Sequence, residues 1–269
     1  MPPISAFSTD ADMKINLCLS VKSIFANCLQ LSAVLLMLVF LSPVSAIDNQ
    51  PYPEFTAVYE ARINGFLVAE ARFSLRKLDD GDYLYQRKLS SVGVASLFGK
   101  KVSIATSRWR FVNNWIQVQE YQTSNEDGDA DDNLHLMFNW KTAQVKNVAS
   151  ADPWQTKMPT GTLDKLAMQL ALLFELRDGG TEFQYPVAHE GRIKQYRFKQ
   201  IGKETIKLPM GEYNTLVVER LDDDRDNTRI WSAPELNYFP VRFLERKKSG
   251  VKKELSLRMI EFIAEEAAD

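Results

Sequence analysis

The sequence predicts a mainly β (α+β) fold, a strongly curved antiparallel sheet or half-barrel wrapped around one buried apolar helix. Three observations predict it. Apolar and polar residues alternate with period two in about a dozen short segments, the pattern of strands with one buried face. A single segment switches to helical spacing. No low-complexity linker, fixed-period repeat or second helical segment follows residue 46, so residues 47–269 read as one domain.

The strands come first. Phe55, Ala57, Tyr59, Ala61 and Ile63 fall on one face, and Asn64-Gly65 then reads as a type I′ hairpin turn, because both positions tolerate positive φ. Leu67, Ala69, Ala71, Phe73 and Leu75 form the matching face of the return strand. After the turn Asp79-Asp80-Gly81-Asp82 comes a strand over 83–92, then a short apolar link over 94–99 and a strand over 102–112. Asn113-Asn114 turns the chain into a strand over 115–123, and Leu134, Leu136, Phe138 and Trp140 mark another after an acidic loop. The stretch around Asp152-Pro153-Trp154 shows no strand pattern and reads as a loop carrying an exposed Trp154.

Leu163, Leu166, Ala167, Leu170, Ala171 and Phe174 then follow i, i+3, i+4, i+7, i+8, i+11, which predicts a helix over 163–176. Thr162 is the expected N-cap, Asp164 suits the positive end of the helix dipole, and Gly179-Gly180 ends the helix. Met168, Leu172, Leu173 and Leu176 make its other faces apolar, so it is expected to be buried on most sides. Strands resume over 183–187, 193–201, 213–221, 228–233, 241–247 and 252–262. A curved sheet closed over this helix lets both bury their apolar faces against each other.

Residues 1–46 read as an N-terminal extension and signal peptide. Lys14 and Lys22 are positive, Leu29 to Leu41 is an uncharged apolar run, and Val44-Ser45-Ala46 is a small-residue cleavage site, which puts cleavage between Ala46 and Ile47. The run is shorter than the ~20 residues of a spanning helix, so no stable membrane anchor is expected after cleavage. Asp10 and Asp12 do not suit a leader's basic start, which leaves Met1 and Met13 both open as start codons. The expected location is the periplasm. Both cysteines, Cys18 and Cys28, fall in the leader, so disulfides, thiol nucleophiles and Cys-ligated metals are excluded from the domain. The net charge of −2 gives no electrostatic case for nucleic acid.

Chemistry-bearing motifs are sparse. His135 and His189 are separated and lack metalloprotease spacing, and no G-x-S-x-G elbow, S-x-x-K box, phosphate loop or dinucleotide fingerprint occurs. Neither a catalytic residue, a metal site nor a cofactor is expected. Asp127, Asp129 and Asp131, and likewise Asp222, Asp224 and Asp226, have the spacing that begins a calcium loop. Asp132 and Asn227 stand where its glycine belongs, and Phe138 and Ala233 where its bidentate glutamate belongs, so both runs read as solvated turns.

Four ordered segments, TLDKLAMQLAL (162–172), YPVAHEGRIKQYRF (185–198), LPMGEYNTLVVER (208–220) and WSAPELNYFPVRF (231–243), resemble hallmark runs of an exported proteobacterial family catalogued as domain of unknown function 3108. The opening hairpin over 55–75 is similar to that family's first hairpin. The resemblance implies no catalytic residues. The outline of curved sheet and helix also resembles the periplasmic carriers of the lipoprotein localisation pathway, a likeness of fold only. The expected function is a non-catalytic binder of a hydrophobic or lipid-like ligand, lined by Phe55, Tyr59, Phe73, Trp109, Phe111, Phe138 and Trp140. The alternative is a structural or interaction protein of the cell envelope with a protein partner; a hydrolase lacks its motifs.

Overall fold

The computed structural model describes residues 52–99, 101–126, 133–149, 153–222 and 226–263. The expected cleavage site at Ala46 and Ile47, most of the acidic run over 126–133 and the middle of the one over 222–227 lie outside the described residues. Alternating burial carries the sequence pattern directly into structure. Phe55, Ala57 and Tyr59 are buried on β1 (Glu54–Ile63), and Ala69, Ala71, Phe73 and Leu75 on β2 (Phe66–Lys77). Asn64 and Gly65 adopt positive φ of 51° and 88°, the twist a two-residue hairpin needs.

The first half continues as an antiparallel meander through β3 (Tyr83–Ser91), β4 (Val102–Val112), β5 (Trp115–Asn125), β6 (Leu134–Asn139), β7 (Gln144–Asn147) and β8 (Trp154–Lys157). The second half comprises β9 (Glu182–His189), β10 (Arg192–Leu208), β11 (Gly211–Arg220), β12 (Asp226–Ala233), β13 (Phe239–Lys247) and β14 (Lys252–Ile263). Every strand pairs with its sequence neighbour, except that β8 and β9 do not pair and β1 lies against β14. That one long-range pairing joins the two meanders into a single 14-stranded sheet with β8 and β9 at its edges. The sheet does not close by hydrogen bonding, yet its ends approach. A Cβ on Gly191, in the β9–β10 turn, would stand 3.8 Å from the Trp154 ring on β8.

Between the meanders lies the helix α1 (Ala167–Arg177), shorter at its start than the expected 163–176. Leu163 is instead strand-like: its N–H donates to the Pro186 carbonyl and its own carbonyl accepts from the Ala188 N–H, both at 2.9 Å. This parallel bridge satisfies part of the β9 edge and delays the helix. Asp164, not Thr162, then caps it. Asp164 Oδ1 accepts from the N–H groups of Leu166 (2.7 Å) and Ala167 (2.9 Å), whereas the Thr162 hydroxyl donates to Pro159. At the other end, the N–H of Gly180 donates to the Glu175 carbonyl at 2.8 Å. A Cβ on Gly180 would meet Phe183 at 2.7 Å and that carbonyl at 2.9 Å, so no larger residue fits this stop.

Two further departures concern short elements. Trp154 begins strand β8 and packs half-buried against the core rather than standing exposed on a loop. The four-residue strands β7 and β8 are too short for alternation to register in sequence. The apolar link over 94–99 forms most of a 3-10 turn, Gly93–Phe98.

Candidate functional site

One face of the sheet supplies the apolar core, and α1 packs into it. Phe174 stacks on Tyr52 (5.8 Å between centroids) and meets Trp109 and Phe111 of β4 edge-on at 6.4 and 6.3 Å. Trp109 is itself stacked on Tyr83 at 4.5 Å. Near the helix start the Ser107 hydroxyl of β4 donates to Asp164 Oδ2 at 2.5 Å, a fully buried contact. Burial pushes the Asp164 carboxyl up to about 6, against the pull of the hydrogen bonds from Ser107 and the backbone. This side of the helix is filled.

The other side is not. Met168, Gln169, Leu172 and Leu173 of α1 face a partly open cavity of about 340 Å³. Its far walls are Tyr59, Phe73 and Tyr85 of β1–β3, and Tyr196, Phe198, Ile230, Phe239 and Phe243 of the second meander. A neighbouring space of about 330 Å³, walled by Ala61, Ala69, Ala71 and Leu89, shares Arg87, Phe243, Glu245 and Leu255 with it. Volumes of this size lie within the range of small-molecule sites, roughly 300–1,000 Å³.

The few polar groups of the cavity are mostly engaged. The Tyr59 hydroxyl donates to the Pro240 carbonyl at 2.6 Å. Arg220 binds Asp222 through two nitrogens, at 2.9 and 2.7 Å, and lies over the Tyr196 ring at 4.4 Å. Glu245 pairs with Lys253 at 3.1 Å. Arg87 and Lys165 differ: among the described residues neither forms an ion pair or a side-chain hydrogen bond, and the Arg87 Nε is buried without a partner. Burial holds the Lys165 ammonium below its usual range, with Arg87, Lys194 and Arg220 acting in the same direction and Glu190 against it.

Of the seven residues expected to line a ligand, Tyr59 and Phe73 stand at the cavity. The other five pack elsewhere. Phe55 sits in an aromatic cluster with Tyr52, Tyr85, Phe239 and Phe262, and Trp109 and Phe111 are taken up by Phe174. Phe138 stacks on Trp140, whose indole N–H donates to the Val118 carbonyl at 2.6 Å. The inward aromatic side chains are thus divided between the cavity and the packed core. The missed residue, Arg87, carries a readable signal: Tyr83, Tyr85, Arg87 and Leu89 alternate on β3, which places a cation on an apolar face.

The histidines are apart. His135 faces Glu120 at 2.6 Å, and His189 lies 3.2 Å from Glu190, its imidazole held below the usual range chiefly by burial. Among the described residues no group of three or more potential metal ligands comes together. No described helix is long and apolar enough to cross a membrane. Asp222, expected as a solvated turn residue, is buried against Arg220 and accepts the Arg197 N–H at 3.1 Å.

The fold has a solved counterpart. The crystal structure of a beta-barrel-like protein of domain of unknown function DUF1849 from Brucella abortus superposes with a TM-score of 0.53 over 78% of this chain and 98% of that one. At 9% identity the likeness is one of fold alone. No curated protein matches the chain. The profile of the family described as "Protein of unknown function (DUF3108)" covers residues 58–256, most of the sheet and all of α1, and the chain belongs to that family.

Proposed function

We propose that this protein is exported to the periplasm and there binds, without catalysis, a hydrophobic or lipid-like ligand held between the curved sheet and α1. The sheet in this reading wraps around the helix, with one helix face sealed against β4 and the other left to the ligand. The observation that carries it is the cavity of about 340 Å³, walled by apolar side chains of α1 and of both meanders. A partly open, concave and mostly apolar space of this size has the character of a small-molecule site, which supports the reading. The leader composition supports export.

A fluorescent fatty acid titrated into delipidated protein should bind one to one, saturate, and be displaced by unlabelled fatty acid. Leu172→Trp, which grows a side chain from α1 into the space, should weaken that binding at least about tenfold while the void spares the fold the usual overpacking penalty. Absence of saturable binding to the unsubstituted protein would turn the reading to its alternative, a structural or interaction protein of the envelope.

A further inference from the structure

We propose that the cavity selects an amphiphile with a single anionic headgroup, a carboxylate or a phosphate, anchored by Arg87 with Lys165 contributing at the mouth. The inference rests on the hydrophobic-ligand reading and adds the chemistry of the head.

Arg87 lines both the cavity against α1 and the neighbouring space, so the residue stands where the two meet. Arg87 is half-buried, and the Nε of its guanidinium is sealed from solvent among apolar walls, so part of its hydration is lost with no protein acceptor in its place. The carboxylates that could serve are already used. Asp164 accepts from Ser107 and from two backbone N–H groups. Asp222 is bound bidentately by Arg220, and Glu245, although it lines the same cavity, pairs with Lys253. The buried Arg87 Nε is left without an acceptor.

Lys165 adds a second positive charge on the same cavity, exposed enough to meet a ligand as it enters. Arg87 and Lys165 against the single lining carboxylate of Glu245 give the α1-side cavity an excess of positive charge, even with Arg220 neutralised by Asp222. A neutral apolar ligand would fill the space and leave Arg87 unsatisfied. An anionic amphiphile satisfies both: its tail replaces contacts along Met168, Leu172 and Phe198, and its head accepts charge-assisted hydrogen bonds from the guanidinium.

The experiment compares dodecanoate, dodecyl phosphate and dodecanol by titration into the delipidated full chain. One tail with three heads separates the two questions. The expected result is that at least one anion binds about tenfold or more tightly than the alcohol, as one charge-assisted hydrogen bond supplies. Arg87→Gln should remove most of that preference, leaving at most the smaller share due to Lys165, while dodecanol affinity stays the same, which also shows that the variant is folded. Whichever anion binds tighter identifies carboxylate or phosphate as the head. Saturable and equal binding of all three overturns the anionic-head inference but leaves the hydrophobic-ligand reading standing, whereas saturable binding of none removes that reading itself. A preference that survives undiminished in Arg87→Gln overturns the assignment to Arg87. Should Arg87→Gln fail to fold, Arg87→Lys must keep the preference and Lys165→Gln must reduce it, and failure of either is decisive against the proposal.

Discussion

On one side of α1, Phe174 is held by Tyr52, Trp109 and Phe111, and Asp164 is held by Ser107 of β4; on the other, Met168, Leu172 and Leu173 border the partly open cavity. Apolar side chains stand on both sides of the helix, so hydrophobicity alone does not distinguish the two sides. Packing does. The β4 side interdigitates its rings and seats Asp164 on the Ser107 hydroxyl, leaving only the Trp109 Nε1 there without an acceptor among the described residues. The cavity side leaves both volume and a guanidinium unfilled. Under the proposed hydrophobic-ligand reading one helix divides stability from binding, and substitutions on its two faces should separate the two properties.

The largest effect is expected at Leu170, which is fully buried on the filled side. Leu170→Ala should destabilise the fold by about 2–5 kcal/mol, the range for a leucine deleted from a core that cannot collapse. Chemical denaturation measures it. A loss below about 0.5 kcal/mol, the scale of surface changes, would show that the filled side does not carry the stability assigned to it.

Asp164 gives an intermediate effect with a pH signature. Its folded-state carboxyl titrates at about 6 against an ordinary 3.8 because burial penalises the charge. The folded state therefore holds the proton more tightly than the unfolded state. The stability this contributes is present at low pH and is lost as pH rises from about 4 through 6, by ~3 kcal/mol at most. Asp164→Asn keeps an acceptor for the helix N–H groups and cannot ionise, so it should flatten that part of the stability–pH curve. Asp164→Ala should instead cost about 1–3 kcal/mol, since it orphans the Ser107 hydroxyl and removes the cap. Denaturant midpoints of the three proteins at pH 4.5 and 6.5 decide the matter; an unchanged slope in Asp164→Asn would assign the pH dependence elsewhere.

Much of this contrast was hidden in the sequence, although the elements were not. Alternation in β1 and β2, the Asn64-Gly65 turn and the helical spacing through Leu170 and Phe174 are local signals, and each has its counterpart in the structure. The displaced helix start was illegible because it depends on Leu163 meeting Pro186 and Ala188, a pairing across the chain. The β1·β14 seam is equally non-local. The cavity depends on which inward residues find a partner across the interior. Phe55 and Trp109 have aromatic partners and Arg87 Nε has no acceptor among the described residues, and no spacing rule reports that.

The smallest expected effect on stability sharpens the comparison most. Met168 is half-buried and borders the cavity, so its terminal atoms have fewer packed neighbours to lose than those of Leu170, two residues on. Met168→Ala enlarges a space that already exists instead of opening a new one, and the lost contacts are those of one flexible side chain. We expect under about 1 kcal/mol of destabilisation, well below the usual cost of truncating a core methionine. Binding should respond differently. If the tail of an amphiphile lies along this face, removing the thioether weakens its affinity several-fold while leaving the preference for an anionic head unchanged, since Arg87 stands on β3 and not on α1. Parallel denaturation and dodecanoate titration of Met168→Ala and Leu170→Ala read both properties. Equal destabilisation by the two would mean that the cavity face is as tightly packed as the sealed one, and the division of labour along α1 would be lost.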